Sequence, residues 1–335
     1  MNSLISKIVL GGELTVSRLG FGTIHLTKER GFGPARKNAV QLLRRAVELG
    51  VDFIDTADSY GPETTETIVH EALHPYNGIT IATKGGFAHP AEGIWKPNGR
   101  PAHLRAAIHG SLTRLHLEQI PLYYLHTPDE EVPYEESLGC LKDLHDAGQI
   151  RFVGISNVNY SQVQAARAIL GETLVSVQNY YNVMFHHGAS DYCPDTEQVL
   201  DECELREWAF VAWEPMGTGA DLPHDDQEHC RRRAIELIST IAAKHGVAPH
   251  VARLAAVLSR SKQIIAIPGT SSLTHLQANM AAMQLSETED FGSAWLMQRK
   301  VLMSLRRKRE IEVLKQRLSR PTQDYSARNL PRNRG

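Results

Sequence analysis

The sequence lacks the features that would place a protein in or across a membrane. No run of 18 apolar residues occurs in its 335 residues, so a membrane-spanning helix is not expected. Residues 1–5 show no charged start followed by an apolar core, so no secretory signal is predicted. We therefore expect a cytoplasmic protein.

Cysteine is scarce and carries no metal-binding pattern. The four cysteines form no CxxC pair: Cys140, Cys193, Cys203 and Cys230. Reduced thiols, as in the cytoplasm, are predicted. The adjacent His186 and His187 could suggest a metal, but neighbouring residues rarely face one ion, so no metal site is expected.

A net positive charge is absent from most of the chain and is found only at its end. Residues 292–335 hold 12 Lys and Arg against three Asp and Glu, a net +9, so residues 1–291 carry a net −11 within the total of −2. An acidic body gives no reason to expect nucleic-acid binding there. The pattern of the basic end predicts a helix over 299–319 followed by a polar tail. Three interpretations of this segment stay open: a solvated extension, a homo-oligomer contact with an acidic surface, or a site for an anionic partner.

Short apolar runs alternate with amphipathic helical patterns along the rest of the chain. After a predicted hairpin around Gly11-Gly12, eight strands are expected at 19–22, 51–55, 79–83, 121–125, 151–155, 174–177, 209–212 and 264–267. Helices are predicted at 35–49, 63–73, 102–115, 135–147, 161–170, 197–206, 231–245 and 249–260, and from about residue 272.

Eight strand–helix units require parallel neighbours joined by crossovers, and closing them removes both sheet edges. We predict a (β/α)8 TIM barrel over residues 1–291, with an N-terminal β-hairpin and a basic helical C-terminal extension over 292–335. The rival is a doubly wound nucleotide-binding fold. It needs a G-x-G-x-x-G motif, and the segment from Gly20 to His25 lacks the last glycine.

Ionisable residues stand where three predicted strands end. Asp55 ends one apolar run and Tyr60 follows on its loop, while Lys84 and His126 end two later runs. Since barrel active sites lie at the carboxyl ends of the strands, these four residues form a candidate active centre. Each alone has an ordinary reading: a turn cap, a loop anchor, a solvated lysine, a structural histidine.

The four residue types suit protonation of a carbonyl oxygen. A free phenol has a pKa near ~10, but a nearby ammonium favours the phenolate, and a carboxylate keeps that ammonium charged and in place. A histidine beside them can hydrogen-bond the substrate oxygen or shuttle the proton. Because no protein nucleophile is evident, a hydride from a cofactor is the expected attacker.

Several motifs together resemble the aldo-keto reductase superfamily over roughly residues 5 to 290. They are Asp55-Thr56-Ala57-Asp58-Ser59-Tyr60-Gly61, Thr83-Lys84, Leu125-His126-Thr127-Pro128-Asp129, Gly154-Ile155-Ser156-Asn157, Val177-Gln178-Asn179-Tyr180-Tyr181-Asn182, Trp213-Glu214-Pro215-Met216-Gly217 and Ile267-Pro268-Gly269-Thr270-Ser271-Ser272. The resemblance implies a carbonyl reductase, or in reverse an alcohol dehydrogenase. It implies Tyr60 as general acid, Lys84 and Asp55 as its tuning pair, and His126 as the group that orients the carbonyl.

The resemblance also implies a nicotinamide dinucleotide, usually NADPH. Ser156, Asn157 and Gln178 should hold its carboxamide, and Trp213 should stack on the nicotinamide where most relatives have tyrosine. Free N–H groups of the loop before the last helix suit a phosphate, although that loop could be an ordinary helix cap. The further cofactor-binding residues expected are Glu214, Pro215, Met216, Gly217, Gly269, Thr270, Ser271, Ser272, His275 and Asn279.

Two features leave the cofactor and the substrate less defined. Gly269 and His275 stand where many relatives have the lysine and arginine that grip the 2′-phosphate, so NADP is expected but NAD stays possible. Candidate substrate-pocket residues are His25, Phe87, Trp95 and Phe185, and their aromatic character suits a small flat aldehyde. The motif style resembles the bacterial branch that contains pyridoxal reductases.

A different class of function is a cofactor-sensing regulatory subunit that binds the dinucleotide and reports its redox state to a partner. The complete set of Asp55, Tyr60, Lys84 and His126 favours the enzyme, since a sensor need not keep a proton donor. The sequence leaves the reaction direction open, including an oxidative role in a biosynthetic pathway.

Overall fold

The computed structural model describes residues 6–27, 33–91, 93–183, 196–217, 227–288 and 290–291, with the backbone alone for 227–234. Three sequence predictions fall outside these ranges: Phe185, the pair His186-His187, and the extension 292–335 with its helix. The proposed division of the chain at residue 291 therefore stays a prediction.

A hairpin opens the described chain, as predicted. Strands β1 (Lys7–Leu10) and β2 (Leu14–Ser17) pair antiparallel. The turn holds Gly11 and Gly12 at φ of +56° and +72°, a backbone region that glycine enters without steric cost. Ile8, Leu10 and Val16 point into one buried cluster with side chains of the barrel strands.

The strands that follow are β3 (Phe21–Gly22), β4 (Phe53–Asp55), β5 (Thr80–Gly85), β6 (Phe87–Ala88), β7 (Lys96–Pro97), β8 (Ile120–Leu125), β9 (Ile150–Ser156), β10 (Leu174–Tyr180), β11 (Ala209–Trp213) and β12 (Ile264–Ala266). Eight of them form one sheet in the order β12-β11-β10-β9-β8-β5-β4-β3. Each neighbouring pair in that sheet runs parallel.

The two ends of this sheet meet, which makes it a barrel. Parallel bridges join Leu19 to Ala266 and Gly22 to Gly269. The N–H of Gly20 donates to the carbonyl of Ala266 at 2.9 Å, and the N–H of Ala266 donates to the carbonyl of Arg18 at 2.9 Å. The predicted (β/α)8 barrel with its N-terminal hairpin is confirmed.

The helices are α1 (Arg36–Glu48), α2 (Thr64–Leu73), α3 (Pro101–Leu115), α4 (Tyr134–Asp146), α5 (Tyr160–Leu170), α6 (Thr196–Arg206), α7 (Gln227–His245), α8 (Pro249–Arg260) and α9 (Leu273–Ser286). Their apolar faces cover the sheet: α1, for example, buries Val40 and Leu43. Helix α5 begins with a capping box in which Asn159 and Gln162 satisfy each other's backbone N–H. Within the described ranges, no helix is long and apolar enough to cross a membrane.

Arg18 is a buried cation that the sequence patterns did not reveal. Its side chain is 1% exposed and donates to the carbonyls of Ile264 at 3.1 Å and Ser261 at 2.5 Å, and also to that of Leu258. Burial lowers the pKa of the guanidinium, partly offset by Glu287. Arg18 therefore ties the strand entering the barrel to the turn between α8 and β12.

The segment predicted as a long loop after Lys84 contains a small ribbon. Strands β6 and β7 pair antiparallel through Phe87 with Pro97 and Ala88 with Lys96. Two-residue strands leave no periodicity to detect, and their pairing is decided by packing around the barrel mouth. The ribbon places Phe87 and Trp95 over the carboxyl ends of the strands.

Candidate active site

The four residues predicted as an active centre come together at the carboxyl end of the barrel. Asp55 ends β4 and Tyr60 lies on the loop that follows it, Lys84 is the penultimate residue of β5, and His126 comes directly after β8. All four are buried. Asp55, Lys84 and His126 thus lie at strand ends as predicted, although β5 runs two residues past its predicted end.

Lys84 holds the centre of this cluster. Its side chain is 0% exposed, and Nζ lies 2.6 Å from Oδ1 of Asp55, 2.8 Å from the carbonyl oxygen of Thr56 and 3.2 Å from the hydroxyl of Tyr60. An ammonium has three protons, and these are three acceptors. Burial disfavours the charge, but Asp55 and Tyr60 outweigh it and raise the pKa of Lys84.

Gln178 completes the support of the carboxylate. Its Nε2 donates to Oδ2 of Asp55 at 2.8 Å, so both oxygens of Asp55 are occupied. A buried carboxylate held on both oxygens has little freedom to rotate. Sequence reasoning gave Gln178 a cofactor role and missed this contact, because the two residues are far apart in the chain.

His126 lies in an aromatic enclosure beside Tyr60. Its ring centroid is 5.7 Å from that of Tyr60, 4.8 Å from that of Phe87 and 6.2 Å from that of Trp95, each in an edge-on arrangement. Burial, then the charges of Lys84 and His89, hold the pKa of His126 well below its usual value. The imidazole is therefore neutral at pH 7 and can donate one N–H.

A cavity of ≈ 400 Å³ opens in front of these groups, a size that accommodates a small ligand. Many predicted site residues line it: Asp55, Tyr60, His126, Ser156, Asn157, Gln178, Trp213, Glu214, Pro215, Met216, Gly269, His25, Phe87 and Trp95. Lys84 stands behind the lining. Besides Lys84, the predicted residues within the described ranges that do not line the cavity are Gly217, Thr270, Ser271, Ser272, His275 and Asn279.

Five lining residues were not predicted: Gly22, Thr23, Ile24, Ile267 and Pro268. The same rule that found Asp55 could have found Thr23, because it is the first polar residue after β3. Its N–H donates to the carbonyl of Asp55 at 3.0 Å.

Asn157 connects two walls of the cavity. It has a left-handed backbone, with φ of 57°. Its Nδ2 donates to the carbonyl of His126 at 3.0 Å, and its Oδ1 accepts from Nε1 of Trp213 at 3.1 Å. Both ends of the amide thus contact protein, and its expected contact with a carboxamide stays a prediction. The bond to Trp213 helps to fix the plane of the indole.

Buried polar atoms in the described part of the chain bear on whether a dinucleotide fits. Ser156 Oγ and Thr23 Oγ1 both belong to lining residues, and neither has a hydrogen-bond partner among the described residues. Buried polar groups are normally satisfied, so an amide-bearing ligand in the cavity would supply what these two lack.

Part of the loop before α9 forms an ordinary helix cap, which was one of the two interpretations of its sequence. Ser272 Oγ accepts from the N–H of His275 at 3.4 Å, and Thr270 Oγ1 accepts from the N–H of Ser272 at 3.0 Å. Gly269 is packed closely: a Cβ there would lie 2.4 Å from Cδ2 of His25. Farther along α9, Oδ1 of the buried Asn279 has no partner within the described ranges.

The cluster of Tyr60, Lys84 and Asp55 beside a cavity at the mouth of the barrel is suited to donating a proton to a bound ligand, and comparison with known proteins assigns the family. The model of the Aldo/keto reductase family matches residues 18–293, and the chain belongs to that family. It is similar to pyridoxine 4-dehydrogenase of Escherichia coli, with 36% identity over 289 residues that cover 83% of this chain and 93% of the relative.

Solved structures agree on the fold. The glycerol dehydrogenase AKR11B4 from Gluconobacter oxydans is 25% identical with a TM-score of 0.72, covering 88% of this chain and 94% of that one. An aldo/keto reductase from Klebsiella pneumoniae, solved in complex with NADP and acetate, is 22% identical with a TM-score of 0.68, covering 88% and 94%. The latter likeness shows the fold alone.

Proposed function

We propose that this aldo/keto reductase is an NADPH-dependent carbonyl reductase that works in reverse as an alcohol dehydrogenase, with Tyr60 as general acid. The observation that carries the proposal is the buried ammonium of Lys84, 3.2 Å from the hydroxyl of Tyr60 and 2.6 Å from Asp55. An ion pair behind a cavity-lining phenol favours loss of its proton toward the cavity.

When bound, the nicotinamide supplies the hydride that forms the new C–H bond at the carbonyl carbon. Tyr60 gives its proton to the carbonyl oxygen as that oxygen gains negative charge, and Lys84 stabilises the phenolate left behind. Asp55 keeps Lys84 charged and in place. His126, neutral in its aromatic enclosure, donates an N–H to the same oxygen and orients the carbonyl.

The cofactor is held by residues around the cavity rim. Ser156 and Gln178, with Asn157, would hold the carboxamide of a bound dinucleotide, and the indole of Trp213, braced by Asn157, would stack on its ring. The loop 268–272 and the start of α9 would hold its phosphates. We assign Gly217, Thr270, Ser271 and Asn279 to this outer region on the family resemblance.

NADP is favoured over NAD by polar side chains near the start of α9, among them Ser271, Ser272 and His275. His275 is exposed there, 5.6 Å from His250 between ring centroids. Arg253 lies on α8, as His250 does, and donates at 3.1 Å to the carbonyl of Met216, which is in the loop after β11. Of these side chains, Arg253 supplies a positive charge in place of the lysine and arginine that relatives carry. Tighter binding of NADPH than NADH, measured by quenching of tryptophan fluorescence, is the expected result.

The substrate is a small flat aldehyde of the pyridoxal or aromatic type. The edge-on rings of Phe87 and Trp95 offer apolar surfaces on which such a molecule can pack, and Phe87 lies 5.3 Å from Trp95 between centroids. The name of the E. coli relative, pyridoxine 4-dehydrogenase, supports the same class, because pyridoxal is the aldehyde corresponding to pyridoxine.

Stopped-flow oxidation of bound NADPH tests both the proposed reductase activity and the proposed preference for pyridoxal. Pyridoxal, benzaldehyde and a short aliphatic aldehyde are mixed separately with the NADPH complex. We expect turnover with the planar aldehydes, fastest with pyridoxal. No preference for pyridoxal would remove the narrower assignment. Tight NADPH binding without turnover by any aldehyde would instead favour the regulatory sensor.

A further inference from the structure

Ser59 precedes Tyr60 on the loop that follows Asp55. It is 2% exposed, and its Oγ lies 3.4 Å from Nδ1 of His126. This distance is at the long end for a hydrogen bond. Within the described residues, the hydroxyl of Ser59 is the polar group that contacts the ring of His126.

Both partners of this contact are held by their backbones. The N–H of His126 donates to the carbonyl of Gly85 at 2.9 Å, and the N–H groups flanking Ser59 are also bonded, Asp58 to the carbonyl of Lys84 at 3.1 Å and Tyr60 to that of Ala57 at 3.3 Å. The edges of Phe87 and Trp95 enclose the imidazole. The contact thus joins two fixed elements, and rotation of the ring is restricted.

A neutral imidazole has one N–H and one lone pair, so its usefulness depends on which nitrogen holds the proton. A carbonyl oxygen can only accept. With Nδ1 facing Ser59, the nitrogen left for the cavity is Nε2. A proton on Nε2 serves the carbonyl, whereas a proton on Nδ1 would turn a lone pair toward it.

We propose that Ser59 is a positioning residue whose hydroxyl donates to Nδ1 of His126, holds the imidazole in the tautomer protonated at Nε2, and thereby directs that N–H at the carbonyl oxygen. The inference rests on the proposed function for its consequence in catalysis, but the tautomer itself is a property of the protein alone. Without the hydroxyl, Nδ1 is buried and unsatisfied in either tautomer, so the preference for a protonated Nε2 is lost.

The direct test is the tautomer of His126 by ¹H–¹⁵N NMR of histidine-labelled protein, with and without NADP⁺. The signals of His126 are identified as those lost in His126→Gln. In the wild type we expect Nε2 to be protonated and Nδ1 to be hydrogen-bonded. In Ser59→Ala we expect the Nδ1 resonance to shift and a fraction of the protein to hold the tautomer protonated at Nδ1. A wild-type Nδ1–H, or a Ser59→Ala spectrum identical to the wild type, overturns the proposal.

Single-turnover hydride transfer from NADPH to pyridoxal gives the second readout. Losing one hydrogen bond to the oriented group should slow the step about 3- to 10-fold in Ser59→Ala, with NADPH affinity unchanged. Ser59→Thr keeps the hydroxyl and should restore most of the rate. The matched control is Ser286→Ala, which removes another buried hydroxyl, bonded within α9 at 2.7 Å. An unchanged rate in Ser59→Ala overturns the proposal.

The two failures are distinguishable. If the wild type transfers hydride and Ser59→Ala does so equally well, the role of Ser59 is wrong and the reductase stands. If the wild type transfers no hydride to pyridoxal, benzaldehyde or a short aliphatic aldehyde, the proposed function is wrong, and the NMR spectrum alone decides whether Ser59 sets the tautomer. Should Ser59→Thr fail to fold, judged by thermal unfolding, the Ser59→Ala and Ser286→Ala pair still decides.

Discussion

Replacing Lys84 with methionine removes the charge at the centre of the site while nearly keeping the shape of the side chain. The ammonium donates to Asp55, to the carbonyl of Thr56 and to Tyr60. In Lys84→Met, Asp55 keeps the bond from Gln178 and, being buried without its counter-ion, takes up a proton. The phenol of Tyr60 stays in the cavity but loses its electrostatic support.

The size of the effect follows from the distance. A unit positive charge 3.2 Å from the oxygen of Tyr60 stabilises a full phenolate by about 5 kcal/mol at an effective dielectric constant of about 20. Each ~1.4 kcal/mol is a factor of ten in rate. Because the phenolate charge is only partly developed in the transition state, we expect hydride transfer to slow by about 10²- to 10⁴-fold.

The assay is single-turnover oxidation of bound NADPH by pyridoxal, with NADPH affinity and thermal unfolding measured on the same preparation. Lys262→Met is the matched control, because this lysine pairs with Glu287 at the surface, with its side chain 73% exposed. It should behave as the wild type. A folded Lys84→Met protein whose hydride transfer stays within about threefold of the wild type would refute the electrostatic reasoning.

Three further outcomes are expected. Arg18→Met leaves buried carbonyls unsatisfied and should lower the free energy of unfolding by at least about 2 kcal/mol, measured by urea denaturation. Burial, followed by the neighbouring Glu66, raises the pKa of Asp58 from 3.8 to about 8. The folded state therefore keeps a proton that the unfolded chain has lost, stability should fall as the pH rises between these values, and Asp58→Asn should flatten that fall. Trp95→Ala should raise KM for planar aldehydes more than for a short aliphatic one.

The site residues that could be predicted from the sequence are those that lie at the ends of strands. An apolar run that stops at an ionisable residue specifies both a buried strand and the group at its carboxyl end, which is why Asp55, Lys84 and His126 could be identified together. Tyr60 required only its position on the adjoining loop. The eight-strand order followed from the rule that parallel neighbours need crossovers.

What could not be predicted depends on side-chain directions between distant segments. The amide of Asn157 bridges the backbone of His126 and the indole of Trp213, and no local pattern encodes that the three meet. Arg18 looks like any surface arginine until the barrel closes around it. The ribbon of β6 and β7 has strands too short to leave a periodic signal.

The central claim is that the hydroxyl of Tyr60 supplies the proton to the carbonyl oxygen. The most direct measurement is single-turnover hydride transfer to pyridoxal in Tyr60→Phe, which removes one oxygen and keeps the ring that packs against Trp95 and His126. The account predicts that NADPH binds as tightly as before while hydride transfer slows by at least about 10²-fold. Transfer at the wild-type rate in Tyr60→Phe would contradict it.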